Sequence, residues 1–484
     1  MRIHRIIAAL WLFCAIVVLE AQQPAHERAS QLELDGKFHE AASVLNSALS
    51  DQSLSPSARK TLEFELDRLA RIRGDYPLSK ERLYDILTKS VQGITPQEFE
   101  GWIVQGRFDA RTIDGTVYYM GSSRSNLFFR YPELANRRIN APDWTEFEKN
   151  TWETVQSIKK AAQEHRSPFV LPKRFVATMT VKAEANLAPV GEIIRAWLPI
   201  PRSYPHQKDF EMISSVPAVK NIADEQSRIR TAYFEQAAEQ NKETAFSVEY
   251  AYTGYGIWFD VKPEQVTRAY NDPAVREFTK EGPHVVFTDK IKELSAKLAQ
   301  SETHPAGKAR LFYNWITENI KYSYALEYST IRNISDYCLT QGYGDCGQAA
   351  LLFITLCRYN GIPARWQSGW LTMPGGKTIH DWTEIYLQPY GWVPVDPYMG
   401  VFAMQYFSAP MEMRKEIRDF YFGGLDQYRM AANSNHSQEF LPPKRSFRSD
   451  NVDFQRGELE FGNTNIYFDK YSYRLDIKER EKTP

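Results

Sequence analysis

The stretch YGDCGQAALLFITLCRYNGIPAR, Tyr343 to Arg365, constrains the fold more than any other. From Ala349 to Cys357 nearly every residue is apolar, which predicts a helix buried on all sides and therefore packing layers around it. Asn360-Gly361 and Pro363 supply the stop signals of a helix C-terminus. At the other end, Cys346 lies between Gly344-Asp345 and Gly347, at the positive end of the helix dipole. Its small neighbours leave room for another molecule to approach. A structural thiol has no need of that place.

At 484 residues the chain is too long for one core and predicts two to four domains. A formal net charge of -1 removes any bulk-charge argument for a nucleic-acid or anionic-membrane partner. The N-terminus reads as a cleaved signal peptide, residues 1–21: two arginines in MRIHR, an apolar run from Ile6 to Leu19, and small Ala21 before Gln22. The run is short for a span, which needs about 20 apolar residues, so the expectation is an exported, periplasmic or secreted protein without a stable membrane span. An uncleaved anchor is the alternative. Cleavage would leave Cys338, Cys346 and Cys357, an odd number, which leaves one thiol unpaired. A Cys338–Cys357 disulfide and a buried free Cys357 are both open. The absence of a CxxC pair rules against a structural zinc site; no other metal and no cofactor is expected.

Residues 27–165 read as a helical region with a short strand-rich insert. QLELDGKFHEAASVLNSAL aligns with LARIRGDYPLSKERLYDIL, pairing Leu34 with Ile72 and Gly36 with Gly74. This is similar to paired TPR hairpins, either as ordinary packing helices or as a peptide-binding surface. DGTVYYMGSS and SNLFFRYP read as strands of the insert. Residues 172–262 read as a β-sandwich, 280–430 as a mixed core containing the Cys346 helix, and 437–484 as a β-rich tail that packs back on the body. The fold class is therefore α+β and multidomain.

A cysteine nucleophile works as a thiolate, favoured by a helix N-terminus and a nearby imidazolium. Only His380 and His436 lie downstream of Cys346. His436, in NSNHSQ, reads as solvated loop, whereas His380 opens the strand HDWTEIYL and is the better partner. Asp396, in GWVPVDP, supplies a third, orienting group. A three-residue loop Leu387-Gln388-Pro389 would set His380 opposite Asp396. A two-residue Pro389-Tyr390 loop would break the pair. Taken singly, a buried cysteine, a strand histidine and an Asp before Pro are each ordinary structural residues. Their joint order is what points to catalysis.

GDCGQAALLFITLCRYNGIPAR, HDWTEIYL and YGWVPVDP together resemble the core of the transglutaminase-like superfamily, strongly over about 335–400. The resemblance implies a papain-like core in which Cys346 is the nucleophile, His380 the general base and acid, and Asp396 the orienting carboxylate. It further implies acyl transfer on amide bonds of peptides or proteins, by hydrolysis or transamidation, through a thioester. Cell-wall peptides are among the substrates expected for an exported member. The oxyanion would be held by the Cys346 N–H and a side chain, with Tyr322, Tyr324 and Gln348 as candidates. The zinc-linked cysteine pairs of the deglycosylating branch are missing, and no acidic loop suits the calcium sites of animal cross-linking enzymes. The rival reading is a non-catalytic binding or assembly protein with a vestigial site. PGGKT ends like a phosphate loop but lacks the upstream Gly, and reads as a turn before His380.

Overall fold

The computed structural model describes residues 24–267, 270 and 272–480. The expected signal peptide lies outside the described residues. The chain divides into two compact units, residues up to Asn140 and from Ala141 onward.

In the first unit, α1 (Ala25–Leu34) and α2 (Phe38–Leu49) form a hairpin that turns at Gly36, with φ of 75°. A Cβ there would come within 2.9 Å of the Thr112 carbonyl, so the turn and the close approach both require glycine. The chain continues as α3 (Pro56–Asp75), capped by Ser55, then α4 (Lys80–Thr88) and α5 (Pro96–Val104). Gly74, aligned by sequence with Gly36, lies inside α3. The turn comes after Tyr76, where Pro77 disfavours further helix. A hairpin of β1 (Ala110–Ile113) and β2 (Thr116–Tyr119) follows. SNLFFRYP is not a strand: Ser123–Arg130 is the helix α6, burying Asn126, Leu127, Phe128, Phe129 and Arg130. Burial on several faces overrides the β preference of the Phe pair.

The second unit opens with α7 (Thr145–His165), whose residues the sequence had grouped with the N-terminal helices; it packs on the first strand that follows it. That strand begins a sandwich: β3 (Phe169–Ala183), β4 (Ile193–Pro199), β5 (Gln207–Val216), β6 (Asn221–Ile222), β7 (Thr231–Ala237) and β8 (Thr244–Trp258). Alternate residues of β3, from Phe175 through Ala177, Met179 and Val181 to Ala183, enter its core. They meet Ala196 and Leu198 of β4, Phe234 of β7, and Val248 and Tyr250 of β8 there.

The mixed core runs through α8 (Asp289–Leu298), α9 (Pro305–Asn319), the short β9 (Lys321–Tyr322), α10 (Ile334–Gln341), β10 (Tyr343–Gly344) and α11 (Cys346–Tyr359). Then come β11 (Ala364–Leu371), β12 (Thr378–Leu387), β13 (Gly391–Val395), α12 (Pro397–Tyr406), α13 (Met411–Phe420), β14 (Gly424–Leu425) and β15 (Arg429–Asn433). β13-β12-β11-β15 form an antiparallel sheet beside α11. Every residue of α11 from Gly347 to Arg358 is buried, so the helix runs through the core as its composition demanded.

The tail is not a separate unit. β16 (Glu458–Phe461) and β17 (Thr464–Ile466) extend one sandwich sheet beside β4, and β18 (Tyr471–Glu479) pairs with β3 from Phe175 to Ala183 in the other. The sandwich read over 172–262 is therefore incomplete without residues that follow the mixed core. Cys338, Cys346 and Cys357 are all free. No helix among the described residues is long and apolar enough to cross a membrane.

Candidate active site

The start of α11 is organised by Asp345. Its carboxylate accepts the Gln348 N–H at 3.0 Å, while the Gln348 Oε1 accepts the Asp345 N–H at 3.3 Å, a reciprocal capping box. The Tyr328 hydroxyl donates to Asp345 at 2.7 Å. Gly347 makes this crowding possible: a Cβ there would fall 2.1 Å from the Tyr328 oxygen and 2.7 Å from Asp381 Oδ2.

β12 presents His380 and Asp381 to opposite sides, because side chains alternate along a strand. His380 is fully buried, and its Nε2–H donates to Asp396 Oδ2 at 2.7 Å. The pairing arises from a register two residues away from the expected one. Leu387 faces Gly391 and Thr383 faces Val395, so the loop is Gln388-Pro389-Tyr390 and the ladder stops before Asp396. Asp396 instead caps α12, where Oδ1 accepts the Met399 N–H at 3.0 Å and Pro397 takes the first helical position. From there its second oxygen reaches His380.

Arg429 completes the group, donating to Asp396 at 2.8 Å and to Asp426 at 2.8 Å, all three side chains buried. Burial alone would raise the Asp396 carboxyl, but His380 and Arg429 outweigh it and hold it below the usual range. Burial lowers His380 in spite of the Asp396 charge. With Nε2–H committed to Asp396, Nδ1 is the free base position, and it has no hydrogen-bond partner.

Cys346 is part-exposed and lines a cavity of about 200 Å³. Its thiol bonds Asp381 Oδ2 at 3.3 Å; no hydrogen bond joins it to His380. Burial, then the Asp381 and Asp345 carboxylates, push the thiol well up. The structure thus brings His380 and Asp396 into contact and gives Cys346 a different direct partner. Tyr322 and Tyr324 line the same cavity, whereas Gln348 is turned into the helix cap and does not.

The cavity also receives Asp450, Asp453, Gln455 and Arg456 from the segment before β16. Gln455 Nε2 donates to Asp381 Oδ1 at 2.7 Å and to the His380 carbonyl at 3.0 Å. Arg456 pairs with Glu327, which also lines the cavity, at 3.0 Å. Burial, then Asp453, raises Asp450 to about 7. No group of His, Cys, Asp or Glu among the described residues is arranged to hold a metal ion. His436 is no solvated loop residue: it is buried, with Nε2 at 2.7 Å from the Pro283 carbonyl. Asp381, Arg429 and Gln455 had no sequence signal of their own, although Asp381 adjoins His380.

Residues 292–397 match the transglutaminase-like superfamily. A protein of Haemophilus influenzae is 28% identical over 148 residues, covering 25% of this chain and 39% of that relative. YebA of Bacillus subtilis is 27% identical over 131 residues, covering 23% of this chain and 18% of YebA. The chain therefore spans well under two thirds of either relative. Among solved structures, a candidate cysteine protease from Cytophaga hutchinsonii matches at 15% identity and a TM-score of 0.42, covering 65% of this chain and 94% of that one. The periplasmic domain of TgpA from Pseudomonas aeruginosa matches at 18% identity and a TM-score of 0.27, covering 54% and 95% respectively.

Proposed function

Because residues 292–397 carry a transglutaminase-like core, we propose that this protein is an exported, cysteine-dependent acyl-transfer enzyme acting on amide bonds of peptides or proteins. In this reading Cys346 is the nucleophile, His380 the base and acid, and Asp396 the orienting carboxylate. The observation that carries it is the buried His380–Asp396 bond of 2.7 Å, with Nδ1 of the same ring left without a partner. A carboxylate that fixes the tautomer and leaves one basic nitrogen unused is what a proton-transferring imidazole requires.

The Cys346 proton passes to His380 Nδ1, and the sulfur attacks the amide carbonyl. The oxyanion is met by the Cys346 N–H at the helix start and by Tyr322 or Tyr324 from the cavity wall. The imidazolium then protonates the departing amine, leaving a thioester that water or a second amine resolves. The carboxyl oxygens of Asp381, Asp450 and Asp453 in the lining offer acceptors to substrates with an N–H or amine near the scissile bond, as cell-wall peptides have. The helical first unit serves as a recognition or packing element.

The test is covalent. Incubated with peptide and cell-wall fragments, the full chain is expected to yield an acyl adduct on Cys346 in acid-quenched mass spectra. The adduct should be absent from Cys346→Ala and reduced at least a hundredfold in rate for His380→Ala. Adduct formation indifferent to His380→Ala would sink the assignment of roles. The Cys346–Asp381 contact favours a second reading, a binding protein with a silent thiol, and a chain that never acylates while retaining peptide affinity would establish it.

A further inference from the structure

The proposed acyl transfer has no use for the contact that Cys346 makes. The carboxyl of Asp381 is fixed on several sides at the start of α11. Oδ1 accepts the Gln455 amide at 2.7 Å, and burial, then the neighbouring Asp453 and Asp345, raise this carboxyl well above its usual range. Asp453 is in turn held by the Ser368 hydroxyl and, at 3.1 Å, by the Asn433 amide. The remaining oxygen, Oδ2, meets the Cys346 thiol at 3.3 Å. The absent side chain of Gly347 leaves the space in which this oxygen sits. None of these contacts involves the imidazole, although Asp381 adjoins His380 and Gln455 also bonds the His380 carbonyl.

We propose that Asp381 is a positioning residue that holds Cys346 as a resting, protonated thiol, and that Gln455 of the C-terminal segment keeps its carboxyl in that role. The inference rests on the acyl-transfer reading. Release comes when a substrate N–H or ammonium group takes over the Asp381 oxygen. The thiol then loses its acceptor, and its proton goes to His380 Nδ1. The resting enzyme is thereby slow toward small electrophiles while its cavity is empty.

Other charged or titratable groups act on the same sulfur. Asp345 faces it from the cap, His380 shares its strand with Asp381, and Tyr322, Tyr328 and Tyr398 are close enough to couple with it. Asp453 acts on Asp381 and on Asp450 in the same cavity lining, and Arg456 is engaged by Glu327. Wherever the Asp381 carboxyl is ionised it disfavours a thiolate beside it, and while protonated it still occupies the thiol, so removing it has a defined sign.

The experiment is the pH dependence of Cys346 alkylation by iodoacetamide in the full chain, with the labelled peptide quantified by mass spectrometry and folding checked by circular dichroism. Asp381→Asn is expected to move the labelling midpoint down by about one pH unit or more, raising the rate near neutrality roughly tenfold. Gln455→Ala should move it the same way by less, and Asp381→Glu should restore slow labelling. Labelling of Asp381→Asn at an unchanged or lower rate overturns the proposal. Should Asp381→Asn not fold, Gln455→Ala decides on the same criterion. Adding His380→Ala to Asp381→Asn separates the two readings: loss of the acceleration supports both. Its persistence leaves the Asp381 grip standing and removes His380 as the base.

Discussion

At the scale of single residues, the site depends on charges buried together. Arg429 lies between Asp396 and Asp426, and its loss strands two carboxylates without a counter-ion. Arg429→Met is expected to cost roughly 3–5 kcal/mol, read as a lowered urea midpoint, because breaking a buried pair leaves unpaired charge. Asp345 makes a pH prediction. Burial raises it from 3.8 to about 6 despite its hydrogen bonds from Tyr328 and Gln348. The folded state therefore holds a proton that the unfolded state has released. Stability falls as pH rises through that window, and the cost is fully present above it. Asp345→Asn keeps a capping oxygen and should flatten this slope in denaturation measured from pH 4 to 7. The meeting of His380 with Asp396 was legible from the order of the motifs, though not from the strand register, and Cys346 was legible as the start of α11. Asp381 and Arg429 were not, since an Asp beside a His and an Arg in an unremarkable strand carry no local mark of what they will face.

At the scale of elements, α11, buried from Gly347 to Arg358, could be read directly from its apolar run and its stop signals. Its first turn tolerates no bulk: Gly347→Ala should destabilise by about 1–3 kcal/mol and displace Tyr328 or Asp381. The check is thermal unfolding together with the rate of Cys346 labelling. The hairpin register was less accessible. Pro389 fits several loops, and the loop that forms sets the ladder two residues from the expected pairing, so Asp396 meets His380 as a helix cap. The strand expected at SNLFFRYP failed for the converse reason. Aromatic residues favour strands on average, but α6 buries them on more than one face, which alternation cannot describe.

At the scale of the molecule, the least legible feature was pairing between distant segments. Nothing in residues 172–262 announces that their sheets await strands from 458–479, because a missing neighbour leaves no trace in a strand's own sequence. Removing residues 437–484 strips β18 from β3 and β16 from β4. Such a truncated chain is expected to be insoluble or rapidly proteolysed, as judged by limited trypsin digestion, since unpaired edges and an open core invite aggregation. A soluble, protected truncation would contradict that dependence.

The order of these segments also has a temporal meaning. During synthesis the Cys346 helix emerges well before Asp453 and Gln455, and the strands β16 to β18 follow them. The nascent chain therefore carries its thiol with the cavity wall still missing. Whatever reactivity the finished pocket confers is a property acquired at the end of folding, so assembly itself sets when the site is complete.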